Sequence, residues 1–480
     1  MNLLFSLISG FFSALAFISS KFSFLIWVSL IPFFFLIERL RGIKLFFYSF
    51  LTGFIFFFTN LFWIGYVTKL GLLALVIYLS LYWVIYSFLA RFFIFKPANI
   101  FALPFLWITI EFLRENMGWG FGWSILGYSQ YLNSLIIQPA EIGGVKIISW
   151  LIILCNVALK KVITRRRLIK EFFIFLIIFA SFFLYSLARL DSLRKKEVYC
   201  DKLKVALVQP NISQEDKWDP QKKAFILEKL KRLAKKSPKK AFLIYPEASY
   251  PFILGKDTQK DFRRFLEEIR RDVVLGVIEK EKERFYNGAI LANRQGEILE
   301  KYRKIKLVPF GEYIPLRRFL SFIPVINSIG DFSAGEKNIT FEYKKKRFSV
   351  IICFEDLFPL YVARKVKNLD FLINITNDAW FKGEPEASQH LSILTLRAIE
   401  NRISCLRAAN TGISAVISFL GEIKKLRKDG EEISVEGVMV SFLPLQRQRS
   451  FYARYPELII GIGVIFNLFV WGGTRKRRWM

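Results

Sequence analysis

Long apolar stretches recur through the first 190 residues and once more after residue 456, too many for a water-soluble fold to bury. A hydrocarbon core of roughly 30 Å asks for about 20 apolar residues per helix. In lipid the backbone must satisfy its own hydrogen bonds, which leaves helices as the natural solution here. Eight spans are expected, at 2–20, 22–38, 45–66, 70–95, 98–113, 141–159, 168–189 and 456–473. The first stretch has no basic n-region and no small-residue cleavage site, and another apolar segment follows at once. It therefore reads as a span and not as a signal peptide. Three parts follow: a helical membrane region over 1–190, a water-facing domain over 200–445 and a last membrane helix over 455–474. The 52 Phe residues fit the membrane part, and the middle part has an ordinary mix of charged and apolar residues.

Lysine and arginine in the short loops set the orientation. With the N-terminus inside, the cytoplasmic segments hold Arg39, Arg41 and Lys44, then Arg91 and Lys96, then Lys160, Lys161, Arg165, Arg166, Arg167 and Lys170, and finally Arg475, Lys476, Arg477 and Arg478. The opposite loops hold Lys21, Lys69, Arg114 and Lys146. This bias puts the middle domain outside the cytoplasm. A net charge of +30 would suit nucleic acid, but much of it lies in these orienting segments and no nucleic-acid motif accompanies it. The expected partner of the charge is an anionic lipid surface.

In the middle part, apolar runs alternate with amphipathic ones, the pattern of an α/β domain. Strands are expected at 203–209, 241–246, 273–279, 348–353, 370–376, 403–409, 413–419 and 437–442, with a hairpin over 286–302. Helices are expected near 221–236, 258–271, 357–367 and 386–401. Glu247, Cys353 with Glu355, and Asn377 with Asp378 each stand at the end of a strand. Sites in α/β folds gather at such carboxyl ends.

Cys353 is the candidate nucleophile: it follows Ser349-Val-Ile-Ile and precedes a helix start, where a thiol loses its proton more easily. A small buried core residue is the commoner role for a lone cysteine. The base is open between two choices. One is His390, the single histidine, for which a surface or capping role is expected. The other is a carboxylate, Glu247 or Glu355, aided by Lys304 or Lys306. No Cys/His spacing suggests zinc, and there is no Walker A, Gly-x-Ser-x-Gly, His-Glu-x-x-His or Rossmann glycine pattern. No metal and no cofactor is expected.

Four motifs together resemble the carbon–nitrogen hydrolase (nitrilase) superfamily: Pro246-Glu247-Ala-Ser, Tyr302-Arg-Lys304-Ile-Lys-Leu-Val-Pro-Phe-Gly-Glu312, Cys353-Phe-Glu355 and Asn377-Asp-Ala-Trp380-Phe. The Leu-Val-Pro-Phe-Gly-Glu run, Gln389-His-Leu and Arg407-Ala-Ala-Asn-Thr-Gly-Ile are similar to those of bacterial apolipoprotein N-acyltransferases. The likeness covers nearly the whole chain, including the final span. It implies a four-layer αββα sandwich on the extracytoplasmic side of the bacterial inner membrane. Glu247 falls on the general base, Lys304 on the catalytic lysine and Cys353 on the nucleophile. Glu312 and Glu355 fall on supporting acids, and Trp218 and Trp380 on loops over a substrate cleft. Phe354 stands where the family usually has tyrosine, so a hydroxyl contact to substrate is in question there.

The resemblance implies an acyltransferase that takes an acyl chain from a phospholipid, through a thioester on Cys353, to the α-amine of a diacylglyceryl-cysteine on an apolipoprotein. Apolar loops 250–254 and 319–328 are expected to keep water from that thioester. The competing readings are a membrane-tethered amidase with the same triad and a non-catalytic membrane scaffold.

Overall fold

The computed structural model describes residues 1–118, 120–165, 169–315, 317 and 331–472. The loop 319–328 and the basic residues Arg166, Arg167, Arg475, Lys476, Arg477 and Arg478 lie outside the described residues. The chain divides into two compact units. One comprises Met1–Lys195, Glu384–Glu400 and Ser450–Met480, and the other Lys196–Gly383 and Asn401–Arg449.

In the first unit, helical segments occupy Asn2–Ile18, Ser20–Trp27 with Ile31–Arg39, Gly42–Leu61, Lys69–Ala90, Asn99–Asn116, Val145–Arg165, Lys170–Tyr199 and Leu458–Gly472. Among the described residues, five stretches are long and apolar enough to cross a membrane: Ser20–Arg39, Gly42–Tyr66, Lys69–Ala90, Val145–Arg165 and Lys170–Tyr199. The stretch expected as one helix over 22–38 is a 3-10 segment followed by an α-helix with Pro32 in its first turn. Buried Asn156 repairs the break, accepting from Leu30 N at 2.9 Å and donating to Ile26 O at 3.0 Å. Breaks in helical backbone inside a bundle need such a partner.

Basic segments that are far apart in sequence meet at one end of this bundle. Arg91 donates to the carbonyls of Ile37 and Leu40, both at 2.7 Å. Lys160 pairs with Glu38 at 2.6 Å, and Lys96 donates to Val470 O at 3.3 Å. At the other end, the buried helix Glu386–Asn401 is held by polar contacts. Gln389 donates to Asn60 Oδ1 at 2.7 Å and accepts from Trp63 Nε1 at 3.2 Å. Fully buried Arg397 donates to Tyr128 Oη at 2.9 Å and pairs with Glu400, which accepts from Val145 N at 2.7 Å. The charges of Asn99–Asn116 also point inward: Glu111 accepts from Trp107 and from Leu126 N, and Arg114 donates to Trp123 O. Charged groups at membrane depth turn to the bundle interior for this reason.

The second unit is built on two sheets. Its strands are β1 Lys202–Gln209, β2 Phe242–Ile244, β3 Ile253–Leu254, β4 Val273–Glu281, β5 Arg284–Ala292, β6 Ile298–Arg303, β7 Phe341–Tyr343, β8 Lys346–Ile352, β9 Phe371–Thr376, β10 Ser404–Ala409, β11 Ala415–Ile417, β12 Ile423–Lys425 and β13 Gly437–Pro444. The first sheet has the order β13-β1-β2-β4-β5-β6, with β3 beside β4, and the second β12-β11-β10-β9-β8-β7. One apolar core lies between them, joining Val205, Phe242, Ile244 and Leu291 to Phe348, Val350, Ile373 and Leu406. A second core seats the helices Lys223–Lys236 and Gln259–Ile269 on the outer face of the first sheet.

Three strands were not anticipated from the residues: β3, β7 and β12 are two or three residues long, too short for a period to register. Of the stretch 250–254, expected as a covering loop, the last two residues form the strand β3. Tyr250 and Leu254 are buried, and Ile253 and Leu254 pair with Ile278 and Glu279 of β4. The helix expected near 357–367 is Pro359–Lys365, preceded by a 3-10 turn over Cys353–Leu357, because Pro359 suits a first helical turn.

Gly10 is where the helix Asn2–Ile18 comes closest to Gly42–Leu61: a Cβ there would lie 2.7 Å from Thr52 O and 2.8 Å from Ile55 Cβ. Small residues allow this approach of membrane helices. Gly10→Val is expected to lower stability by about 1–3 kcal/mol, the usual cost of overpacking. Thermal unfolding in detergent would register this as a fall in Tm, whereas an unchanged Tm would show that the contact has room to spare.

Candidate active site

Glu247, Lys304, Cys353 and Asn377 each follow the carboxyl end of a strand: β2, β6, β8 and β9. The sheets thus bring four distant segments to one place. Glu247 lies in a tight turn in which Ala248 has φ 45°. Gly276 of β4 allows that turn, since a Cβ there would lie 2.4 Å from Pro246 O and 2.6 Å from Glu247 Cα. Cys353 follows Ile352 with φ 48°, the left-handed region that costs a non-glycine residue energy and recurs at functional turns. Asn374 of β9 donates to Cys353 O at 3.3 Å.

The Lys304 ammonium is buried, 2.8 Å from Glu312 Oε2 and 3.8 Å from Glu247 Oε1. Asn287 of β5 joins the two acids, donating to Glu247 Oε1 at 2.6 Å and to Glu312 Oε1 at 2.8 Å. Glu247 Oε2 accepts from the backbone N–H of Asn377 at 2.8 Å, and Glu312 Oε2 from that of Val308 at 2.8 Å. Burial pushes the Glu247 carboxyl above its usual range and Glu312 adds to this, while Lys304, Asn287 and Lys217 pull it back. Burial works against the Lys304 ammonium, yet the charges of Glu312, Glu247 and Cys353 hold it above the ordinary lysine value. A carboxylate whose proton affinity is raised and a fixed cation, with a thiol whose charge the cation feels, can take a thiol proton and stabilise an oxyanion.

Glu355 ties the cysteine to the lysine. Its fully buried carboxylate accepts from Ile352 N at 2.8 Å, beside the thiol, and from Ile305 N at 2.9 Å and Lys306 N at 3.1 Å, beside Lys304. Tyr302 donates to it at 2.6 Å and Tyr361 at 3.1 Å. Lys365 stands 3.5 Å from the centroid of the Tyr302 ring. Burial draws the Lys365 ammonium down to about 8 against the pull of Glu355. Buried Arg407 donates to Oδ1 of Asn374, whose amide also donates to Cys353 O, and to Asp378 Oδ2, each at 2.9 Å.

Of the residues expected from the sequence, Glu247, Lys304, Glu312 and Glu355 are thus linked in one network. Lys306 is exposed, with its ammonium 5.4 Å from the Phe358 ring. Phe354 is buried, edge-on to Phe358 at 5.3 Å. Trp218 and Trp380 are 53% and 49% exposed. His390 departs from its expected surface or capping role: it is buried in the first unit, 5.4 Å from the Trp123 ring, with Nδ1 3.4 Å from Glu386. Residues 389–401 of its helix are all buried, so no solvent face is left there. No part in the site was expected for Asn287, Lys217, Tyr361 or Lys365, nor for Tyr302 and Arg407 beyond their place in the motifs. Arg407 carried a signal, an arginine inside the apolar strand Ser404–Ala409, but nothing in the order of residues names its partners.

Residues 204–443, which carry the sheet pair and the acid–lysine–cysteine constellation, match the carbon–nitrogen hydrolase family. Residues 9–158 match the apolipoprotein N-acyltransferase N-terminal domain. An apolipoprotein N-acyltransferase of Geobacter metallireducens is 32% identical over 95% of this chain and 92% of its own length. Those of Aquifex aeolicus and Allorhizobium ampelinum are each 31% identical, over 78% and 89% of this chain and 85% of their own lengths. The chain belongs to the apolipoprotein N-acyltransferase family, and it is an acyltransferase.

Glu355→Gln places an amide N–H₂ against backbone donors. Each buried donor left without an acceptor costs about 1–3 kcal/mol. A fall in Tm together with loss of acyl transfer is expected; full activity at an unchanged Tm would show that Glu355 is not the tie between the two segments.

Proposed function

We propose that this chain N-acylates apolipoproteins by two displacements on Cys353. Glu247 takes the thiol proton, and the thiolate attacks the acyl ester of a phospholipid. Lys304 stabilises the oxyanion, the ester C–O bond breaks as Glu247 passes its proton to the departing lysophospholipid oxygen, and a thioester remains with Glu247 ionised again. The α-amine of a diacylglyceryl-cysteine, deprotonated through Glu247, then attacks the thioester and carries the acyl chain away as an amide. Glu312 and Glu355 act by positioning Lys304 and Cys353. The half-exposed rings of Trp218 and Trp380 contact the lipid chains, and buried Phe354 shapes the wall behind the thiol. The observation that carries this reading is the buried Lys304 ammonium held between two carboxylates that Asn287 joins.

A membrane setting suits the chemistry, because both substrates are lipids and proximity replaces diffusion through water. We take the bundle to cross the bilayer eight times in the bacterial inner membrane, with its basic end in the cytoplasm. The meeting of Arg91, Lys96 and Lys160 with the other segments of that end supports the assignment. The helix Glu386–Asn401 is then at the end of the bundle away from the cytoplasm, and we take the catalytic domain to face the periplasm.

Purified protein mixed with phospholipid and no acceptor should gain the mass of one acyl chain, and Cys353→Ala should gain none. A diacylglyceryl-cysteine peptide should discharge the adduct and appear N-acylated. Discharge by water with no acylated peptide would favour an amidase, and absence of any adduct would count against the triad. Glu312→Gln removes a like charge beside Glu247, so the carboxylate ionises more easily. The acid limb of Cys353 alkylation should move to lower pH; a limb that stays in place would show that Glu312 does not act on Glu247.

A further inference from the structure

Lys217 lies on the short helix Gln214–Trp218, beside exposed Trp218, but its own side chain turns inward and is 6% exposed. Its ammonium donates to the main-chain carbonyl of Glu247 at 3.1 Å. A carbonyl oxygen is a poor counterpart for a buried cation, which needs an opposite charge to offset the lost hydration. The charged group that supports it is Glu247. The same helix is held at its start by Asn377, whose amide donates to Gln214 Oε1 at 3.1 Å while its backbone N–H binds Glu247. Lys217 is therefore part of the Glu247 surroundings and not a chance neighbour.

A charge count shows what it does there. Glu247 faces Lys304 at the end of β6, Glu312 beyond it, the neutral amide of Asn287 on β5, the backbone N–H of Asn377 after β9, and Lys217. Asn287 uses N–H donors toward both acids, which requires an accepting oxygen on each. With both acids ionised, Lys304 alone leaves one negative charge uncompensated in a buried place, and a second cation balances it. We propose that Lys217 is a positioning residue that supplies this second cation and keeps Glu247 ionised as the base of Cys353. The proposal rests on the reading of Glu247 as that base. Burial draws the Lys217 ammonium down to about 8, so it carries its charge at neutral pH. A neutral side chain of similar length would keep the packing and lose the charge.

The test is the rate of Cys353 alkylation by iodoacetamide as a function of pH on the full-length protein, with the modified peptide read by mass spectrometry. This needs no lipid substrate. Lys217→Met should raise the midpoint of the acid limb by about one pH unit, which is about a tenfold slower alkylation on that limb. Lys217→Arg should stay near the wild-type midpoint. Lys217→Gln serves if the methionine variant does not fold. Coincident midpoints for wild type and the neutral variants would overturn the proposal whatever happens to Tm, as would an arginine variant that shifts as far as methionine. Glu247→Gln separates the two readings: a profile identical to wild type would sink the base assignment itself, not merely the part given to Lys217.

Discussion

Taking a carboxylate or an ammonium out of water costs several kcal/mol per ion unless an opposite charge and hydrogen bonds replace the hydration. Glu247, Lys304, Glu355, Asp378 and Arg407 are all buried in the second unit. Each is tolerable only because partners from other strands meet it. That requirement sets how β2, β5, β6, β8 and β9 lie relative to one another, and the candidate active site is where these partners meet. Breaking one partner leaves an uncompensated charge in the interior. The geometry of the candidate site and the stability of the domain therefore rest on the same set of contacts.

The membrane unit meets the same constraint in a drier solvent. Charged side chains such as Glu111 and Arg114 turn inward to polar partners. Its close contacts come from small residues such as Gly10. The helix Glu386–Asn401 lies in the chain between β9 and β10 but packs with the bundle through Gln389, Arg397 and Glu400. A segment threaded through the catalytic half of the sequence thus belongs, by its contacts, to the membrane half.

Much of this was legible in the residues where one physical signal dominates. Apolar length marked the helices. Apolar runs marked β1, β4, β8, β9 and β10 in the order and at nearly the positions observed. The motifs around Glu247, Lys304 and Cys353 marked the residues that the sheets bring together. What was not legible has a common cause. β3 has two residues, and its strand character comes from pairing with Ile278 and Glu279, not from its own pattern. Tyr250 lies outside the strands, as expected, but local order cannot show that it is buried beside Phe262 and Phe265. His390 was expected at a surface because an amphipathic helix does not reveal that both of its faces are covered.

By itself, the sequence determined that this chain holds long apolar helices and an α/β domain, which segments of the bundle are basic, and which acid, lysine and cysteine stand in the motifs that resemble the family. These follow from hydropathy, charge and residue type, which are properties of short windows. Only the tertiary structure decided that Lys304 and not Lys306 is the buried ammonium, that Asn287 joins Glu247 to Glu312, that Glu355 ties the cysteine segment to the lysine segment, and that Lys217 turns inward. These are matters of which groups meet across strands far apart in the chain. They are settled by how buried charges find partners, and no single segment carries that information.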